Sequence, residues 1–306
     1  MANSLDNLTR IAQATFMQAL AESPEQYAQC CQVLDYPGGS ARLMTANAGG
    51  LATEVTGSTT SVAATDLTSG IKVVTQRAFA LKHRMPRQQL PWLQESVAGD
   101  IGTQLANAAA ANINKLYFDG LESLFALAHP MAGANNGQVG AGKKFIDTGL
   151  SFLQGQGGAG TQANLLTDAL SETSLNAARE LLRKYKNQQG LPLNLTDTVG
   201  RYALVVGPKN EKTARQLLGS QFTSSALQVN INNGFATPIV YPLAADDDDW
   251  FLIDTVLSPV GIWIGEPPMI EILPSEDNLF VNFVAQFSAS FYTKAYEYGI
   301  IGSNVA

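Results

Sequence analysis

Residues 91–119 read as one uninterrupted helix, and at about 1.5 Å per residue it spans roughly 40 Å, the full width of an ordinary domain. Pro91 suits the first helical position, where its missing N–H costs nothing. Gly120 offers a stop, because glycine accepts the left-handed conformation that ends many helices. Ser96, Asp100, Thr103, Asn107 and Asn114 share one narrow stripe of this helix. Leu93, Val97, Ile101, Leu105, Ile113, Leu116 and Tyr117 cover the opposite arc, as an amphipathic helix requires. Between them Ala106 and Ala108, Ala109, Ala110 and Ala111 leave a surface small enough for a second backbone to come close. The rest of the chain has to be arranged around this spine.

A chain of 306 residues with 45% hydrophobic content can fill one large core or two ordinary ones. Only 15% of its residues are charged, against a usual value of about 25%. A soluble chain so poor in charge either covers much of its surface with other subunits or carries a Ser/Thr/Asn-rich exterior as a large monomer. The net charge of −7 provides no global basic field to attract nucleic acid, although a protein that merely encloses DNA needs none. Cys30 and Cys31 are adjacent and make no disulfide framework, which fits a reducing cytoplasm. There is no signal-peptide pattern, and no apolar run approaches the roughly 18 residues of a membrane span, so a soluble, unsecreted protein is expected.

Taken in order, Leu5, Leu8, Ala12, Phe16, Ala19 and Leu20 place a short amphipathic helix over 5–22, ended by Ser23-Pro24 and expected to lie on something else. Tyr36-Pro37-Gly38-Gly39 breaks the chain. Over residues 45–70, 19 of 26 residues are Ala, Gly, Ser or Thr and none is Lys or Arg, too little apolar area to build a core alone. Residues 71–85 then read as a strand, Ile71, Val73, Phe79 and Leu81 facing away from Lys72, Lys82 and Arg84. A coreless stretch returning on a strand implies a hairpin reaching out of the body, the alternative being a flexible linker. The spine runs on through Leu121, Leu124 and Phe125 to Pro130 with a bend at Gly120, and residues 131–160 are a glycine-rich loop. A compact α/β pattern comes next. Thr173 caps a helix over 174–189 whose apolar face is Leu175, Ala178, Leu181, Leu182 and Tyr185, with Gly190 ending it. Strands are expected at 202–206, 238–243, 250–256, 269–273 and 279–291, and a short helix at 211–218 closed by Gly219.

Few residues carry chemistry. Gly137 to Lys144 nearly fits a phosphate-binding loop, with Gly137, Gly142 and Lys143 in place, but Lys144 stands where a hydroxyl should hold magnesium. The preceding His129-Pro130-Met131-Ala132-Gly133 is no buried strand, so a mobile basic loop is the better reading. Gly155 to Gly160 likewise lies behind no convincing strand. Asp246, Asp247, Asp248 and Asp249 form a solvated turn, since consecutive side chains point different ways while metal loops alternate ligands with spacers. His83 and His129 lack companions for a metal site, and no serine or cysteine sits in a nucleophile motif. Isopeptide links between subunits from Lys72 and Lys82 to asparagines are a further reading of these side chains. Catalysis finds no support, and no catalytic, cofactor or metal residue is assigned.

An N-terminal arm, an extended loop, a spine helix, an α/β domain and a return on long strands together make an α+β architecture that resembles the Hong Kong 97-type fold of tailed-phage major capsid proteins. Over residues 172–306 the phrasing looks like the Mu-like phage major head subunit family. The resemblance rests on Leu175-Asn-Ala-Ala-Arg-Glu-Leu-Leu-Arg-Lys184, Gly190-Leu-Pro-Leu193, Tyr202-Ala-Leu-Val-Val-Gly-Pro208 and Ala214-Arg-Gln-Leu-Leu218. Asp249-Trp-Phe-Leu-Ile-Asp254, Pro267-Pro-Met-Ile-Glu-Ile272 and Phe291-Tyr-Thr-Lys-Ala-Tyr-Glu-Tyr298 complete it.

The resemblance implies that residues 1–38 are an arm reaching a neighbour and 39–88 an extended β loop overlapping an adjacent subunit. Residues 89–165 with 260–306 would be a peripheral domain holding the spine, and 166–259 an axial domain around the capsomer centre. It implies a structural subunit that is no enzyme and takes no cofactor. Such subunits assemble with themselves as hexamers and pentamers into an icosahedral shell in the host bacterial cytoplasm. They end in the virion with a portal protein and enclose double-stranded DNA without sequence specificity. Decoration proteins are possible partners, a separate scaffold or none is implied by a helix that starts at once, and no membrane is involved. The competing readings are an encapsulin-like compartment shell and, from a different class, an α/β nucleotide-binding enzyme using residues 137–144.

Overall fold

A computed structural model describes residues 2–35, 37–38, 40–47, 68–92, 95–126, 143–151, 161–186, 192–193, 199–220, 229–244, 246–274, 279–294 and 298–305. Helix α1 (Ala2–Glu22) buries Leu8, Ala12, Phe16 and Ala19, a stripe at helical spacing. A 3-10 turn (Gln26–Gln29) leads to β1 (Gln32–Asp35), then β2 (Ser40–Asn47), β3 (Thr68–Thr75) and β4 (Arg77–Pro86). A second 3-10 turn (Arg87–Trp92) precedes the spine, α2 (Glu95–Ser123). The short strands β5 (Leu150–Ser151), β6 (Thr161–Gln162) and β7 (Leu165–Leu166) lead to α3 (Glu172–Lys184), β8 (Tyr202–Val206), α4 (Glu211–Gly219) and β9 (Ala236–Val240). The last four strands are β10 (Trp250–Asp254), β11 (Val260–Pro274), β12 (Phe280–Thr293) and β13 (Ile300–Ser303).

Two sheets carry the fold. One has the order β1-β11-β12-β4, with β1 parallel to β11 and the other pairs antiparallel. The other, β7-β13-β10-β8-β9, is mixed: β13 with β7 and β8 with β9 are parallel, while β10 runs antiparallel to both β13 and β8. Strands β2 and β3 form a separate hairpin, and β5 pairs with β6. Helices α1 and the first half of α2 lie on the first sheet, where Ala12, Phe16, Ile101, Leu105, Ile270 and Phe283 share a core. The second half of α2 is wedged between both sheets: Ile113, Tyr117, Phe118 and Leu121 pack with Val205 and Ile253 from one and Ile262 and Phe287 from the other. Helices α3 and α4 cover the second sheet through Leu175, Leu182, Ala214 and Leu218 against Tyr202, Leu204 and Trp250.

The spine starts later than its sequence suggests, and it ends at Ser123, past the stop offered at Gly120 and before the expected Pro130. Pro91 sits in the 3-10 turn, and Gly120 lies inside the helix. Glycine is required at 120 for packing, because a Cβ there would stand 2.4 Å from the Phe291 ring. Val97, expected on the buried arc, is 39% exposed. Helix α1, expected within an arm over 1–38 that reaches a neighbour, lies along the spine of its own chain, where a glycine allows a close approach. A Cβ at Gly102 would meet Ala12 O and Thr15 Oγ1, both at 2.5 Å. Two asparagines of the polar stripe hold the segment that leaves α1. Asn107 Oδ1 accepts from Ser23 Oγ (3.1 Å), and Asn114 accepts from Tyr27 N (3.3 Å) and donates to Pro24 O (3.0 Å).

Other boundaries shift for local reasons. The cap of α3 is Ser171, whose hydroxyl accepts from Ser174 N while Ser174 Oγ accepts from Ser171 N, so Thr173 is inside the helix. The strand expected over 71–85 is broken at Gln76 into β3 and β4. Strand β11 begins nine residues before the expected 269, its register shifting between Ile264 and Glu266 and again before Met269, which lets Gly265 and Pro267-Pro268 stay in a strand. Residues 300–303, grouped by sequence with the peripheral segment, complete the second sheet between β7 and β10.

The two spine glycines that face α1 should behave oppositely. Gly99→Ala meets only Thr15 Cγ2 at 3.4 Å and should gain up to about 1 kcal/mol of helix propensity. Gly102→Ala should cost about 1–3 kcal/mol by forcing the two backbones apart. Urea unfolding of the unassembled subunit would show equal midpoints for the two variants if the close contact at Gly102 did not matter.

Candidate functional site

The hairpin β2/β3 keeps register from Ser40↔Thr75 to Asn47↔Thr68, and its base is pinned to the body. Val74 is buried with Trp263 and Tyr292, and Ser290 Oγ donates to Thr75 O at 2.6 Å. Gln76, at the break between β3 and β4, joins three pieces at once. In the amide orientation that satisfies all of them, its oxygen accepts from Gly265 N (2.6 Å) and its nitrogen donates to Gly38 O and Ser288 Oγ (both 2.9 Å). Gly265 is obligatory here, since a Cβ would stand 1.7 Å from the Gln76 amide. Both legs of the hairpin are therefore anchored beside one side chain.

The first sheet has one covered face and one partly open face, on which Asn282, Ser288 and Ser290 of the inner strand β12 are still buried. Along β12, Val281, Phe283, Ala285, Phe287 and Ala289 are buried, as the two-residue period of a strand dictates. On the other face, the aligned positions of β4, β12 and β11 are Ala80, Gln286 and Met269, then Lys82, Val284 and Glu271, then Arg84, Asn282 and Leu273. Met269 and Leu273 are 45% and 47% exposed. The outer strand β4 and the turn after it carry Arg77, Lys82, His83, Arg84 and Arg87, all exposed, and residues 67–94 contain no Asp or Glu. The Arg84 guanidinium lies 3.6 Å above the centre of the Phe280 ring.

The tempting motifs resolve into structural parts. Of the phosphate-loop reading, residues 137–142 lie outside the described residues, as do 155–160 and His129. Lys143 and Lys144 flank a turn organised by Asp147, which accepts from Lys144 N (3.2 Å), Thr148 N (2.7 Å) and Gly149 N (3.3 Å) and lies 3.9 Å from Lys143 Nζ. Partial burial pushes the Asp147 carboxyl up, but those backbone donors and Lys143 outweigh it and hold the group below its ordinary value. His83 is paired with Phe283 across the ladder, and Lys72 and Lys82 lie on β3 and β4.

The acidic turn is not uniformly solvated. Asp248 pairs with Lys209 at 2.6 Å, and Asp246 Oδ1 accepts from Asp248 N at 3.0 Å. Asp249 is buried and accepts from Val305 N (2.9 Å) and Asn304 Nδ2 (3.2 Å), with burial pushing its carboxyl upward. Among the described residues no three His, Cys, Asp or Glu side chains converge on a metal-sized point. Cys30 and Cys31 are buried free thiols, and burial pushes Cys31 up to about 12, away from reactivity.

A pinned hairpin, a spine between two sheets and a partly open sheet face are features of a subunit built to join others. A family model described as phage capsid protein matches residues 71–298, well over half of the chain. The chain belongs to the phage capsid protein family. Its role is that of a structural major capsid protein, and its place is the virion. The capsid protein's fold is shared with solved shells at low identity. It matches the virus-like particle from Pyrococcus furiosus at TM-score 0.58 and 12% identity, covering 96% of this chain and 98% of that one. It matches the procapsid of bacteriophage JBD30 at 0.52 and 13%, covering 100% and 76%, and the capsid of Ralstonia phage GP4 at 0.54 and 12%, covering 92% and 87%. These likenesses establish a Hong Kong 97-like architecture. No curated protein matches the capsid protein's sequence. The reading as a nucleotide-binding enzyme gives way to this family membership.

Sequence reasoning missed Gln76 altogether, for its three partners lie 38, 189 and 212 positions away, at Gly38, Gly265 and Ser288. In the capsid protein Gln76→Ala should leave the Gly265 N–H without its acceptor and cost about 1–3 kcal/mol. Hydrogen exchange should accelerate at Gly265 and along β3 while α3 and β8 stay protected, and unchanged exchange at Gly265 would refute the role given to Gln76.

Proposed function

We propose that this capsid protein closes an icosahedral head by joining copies of itself as hexamers and pentamers around double-stranded DNA, on the Mu-like plan. Assembly would take place in the host bacterial cytoplasm, with a portal protein at one vertex and separate scaffold or decoration proteins as further partners. The observation that carries the assembly mechanism is the hairpin. Strands β2 and β3 pair with each other for eight residues, and the residues between Asn47 and Thr68 offer only Leu51, Val55, Val62 and Leu67 as sizeable apolar side chains. Such a segment gains little from order unless it lies on another subunit.

Each part of the chain then has its own task. Residues 39–88 are the loop that overlaps a neighbour, and 89–165 with 260–294 form the peripheral domain with the spine. Residues 166–259, joined by 300–303, form the axial domain, and 1–38 brace the spine before leading into the loop. Low charge suits this role, because large interfaces then bury few ions that would need compensation. DNA held by confinement needs no base-reading element. The family match speaks for a phage head over an encapsulin-like compartment.

Removing residues 48–67 and joining Asn47 to Thr68 by a short turn is the direct test. Circular dichroism should report native-like helix content, because the helices of the described residues all lie outside the removed segment. Electron microscopy of the same preparation should show no closed shells. Normal shells would mean that the segment is a dispensable linker.

A further inference from the structure

We propose that the acidic notch around Tyr241 on one subunit receives the basic edge strand β4 of a neighbouring copy, Lys82 placing its ammonium against the Tyr241 hydroxyl. This rests on the shell reading above and names a specific contact within it. The notch is a cavity of about 10 Å³ whose lining includes Phe118, Glu122, Val206, Tyr241, Asp246 and Asp249. Tyr241 is only 4% exposed, and its hydroxyl has no hydrogen-bond partner among the described residues. Its direction is fixed, since the ring stacks on Phe118 with centroids 4.1 Å apart and its backbone N–H donates to Val206 O at 3.0 Å. A buried phenol oxygen without a partner is unusual.

The charge around it selects the occupant. Glu122 from the end of the spine lines the notch with Asp246 and Asp249, Asp119 lies near Tyr241, and among the described residues Lys115 pairs with Asp119 (2.8 Å) and Lys209 with Asp248 (2.6 Å). Burial, then Asp119 and Glu122, push the Tyr241 phenol up to about 12, so it stays neutral and its oxygen can accept. No three carboxylates converge to chelate a metal among the described residues. A cavity of this size holds about one water-sized group, and an ammonium is such a group. Lys82 makes no ion pair or hydrogen bond among the described residues, and it stands mid-strand on the outermost strand of its sheet. Ala78 and Ala80 on the same face are small enough for close approach, and Arg84 on that face and Arg87 in the turn beyond extend the positive strip. Strand β4 belongs to the first sheet while the notch is lined by α2 and the second sheet, so a contact between them joins unlike parts of two copies, the type that propagates into rings and shells.

Charge exchange tests this. Lys82→Glu and Asp246→Lys, each alone, should slow shell assembly about tenfold or more near 0.1 M salt, with circular dichroism unchanged. The chain carrying both reversals should recover assembly, because each contact then meets with its signs exchanged. Independently, a Lys82→Cys/Asp246→Cys chain should give a ladder of disulfide-linked chains on oxidation, the native thiols being buried. Single reversals that assemble at the normal rate, or a double reversal no better than the singles, would overturn the contact. So would Lys82→Glu shells that form normally but fail to retain DNA, which would turn β4 toward nucleic acid. Wild-type protein that stays monomeric would sink the shell reading as well, whereas wild-type shells beside normally assembling variants sink this contact alone.

Discussion

One long helix governs this molecule, buried along its length except for a single exposed stripe through Gln104, Ala111 and Lys115. Helix α2 is an exposed-looking amphipathic segment by sequence, yet its first half is clasped between α1 and one sheet and its second half between two sheets. That demand explains the small residues along it. Gly102 admits the α1 backbone, Ala106 and Ala109 keep the layers close, and Gly120 admits the Phe291 ring. It also explains why two sheets of different topology behave as one body. Tyr117, Phe118, Leu121 and Leu124 reach both, and the stacked pairs Phe118–Tyr241 and Phe125–Phe251 tie the end of the helix to the second sheet. Interiors packed like this transmit displacement rather than absorb it.

The spine, the α3 face and the buried strand Tyr202–Val206 were legible because their signals are local: a 3.6-residue period, or an unbroken apolar run. What escaped was set by contacts between distant residues. Strand β1 is four residues of modest character, held because Gln32 N donates to Ser258 Oγ and the strand lies parallel to β11. The first nine residues of β11 were hidden by Gly261, Gly265 and a proline pair, residues that usually end strands but here sit at register shifts or beneath a neighbour's ring. The exposed Val97 and the bonded Asn107 and Asn114 show the same limit. Periodicity tells which face a residue is on, and only the packed structure tells what covers that face.

Polar side chains fix the connections between these layers. Arg201 reaches Asp254 through Nε at 2.7 Å and Nη2 at 2.6 Å, and the fully buried Asp254 also accepts from Val256 N and Leu257 N at 2.9 and 3.0 Å. A buried carboxylate with all its partners in place specifies one geometry, and removing the arginine would leave an uncompensated charge. Gln76 does for the hairpin base what Asp254 does for this corner. The site was the least legible part of the sequence because neither residue belongs to a motif. Each is an ordinary polar residue whose importance comes from partners brought together by the fold.

The strand order of the second sheet has a bearing on synthesis. Strand β13, residues Ile300–Ser303, lies between β7 and β10, so the sheet has a gap until those residues have emerged from the ribosome. Until then Trp250, Leu252 and Tyr185, whose hydroxyl donates to Ile300 O at 2.9 Å, lack part of their cover. Nascent chains cannot complete this sheet early. A product halted before residue 300 carries an open strand edge in place of a finished surface.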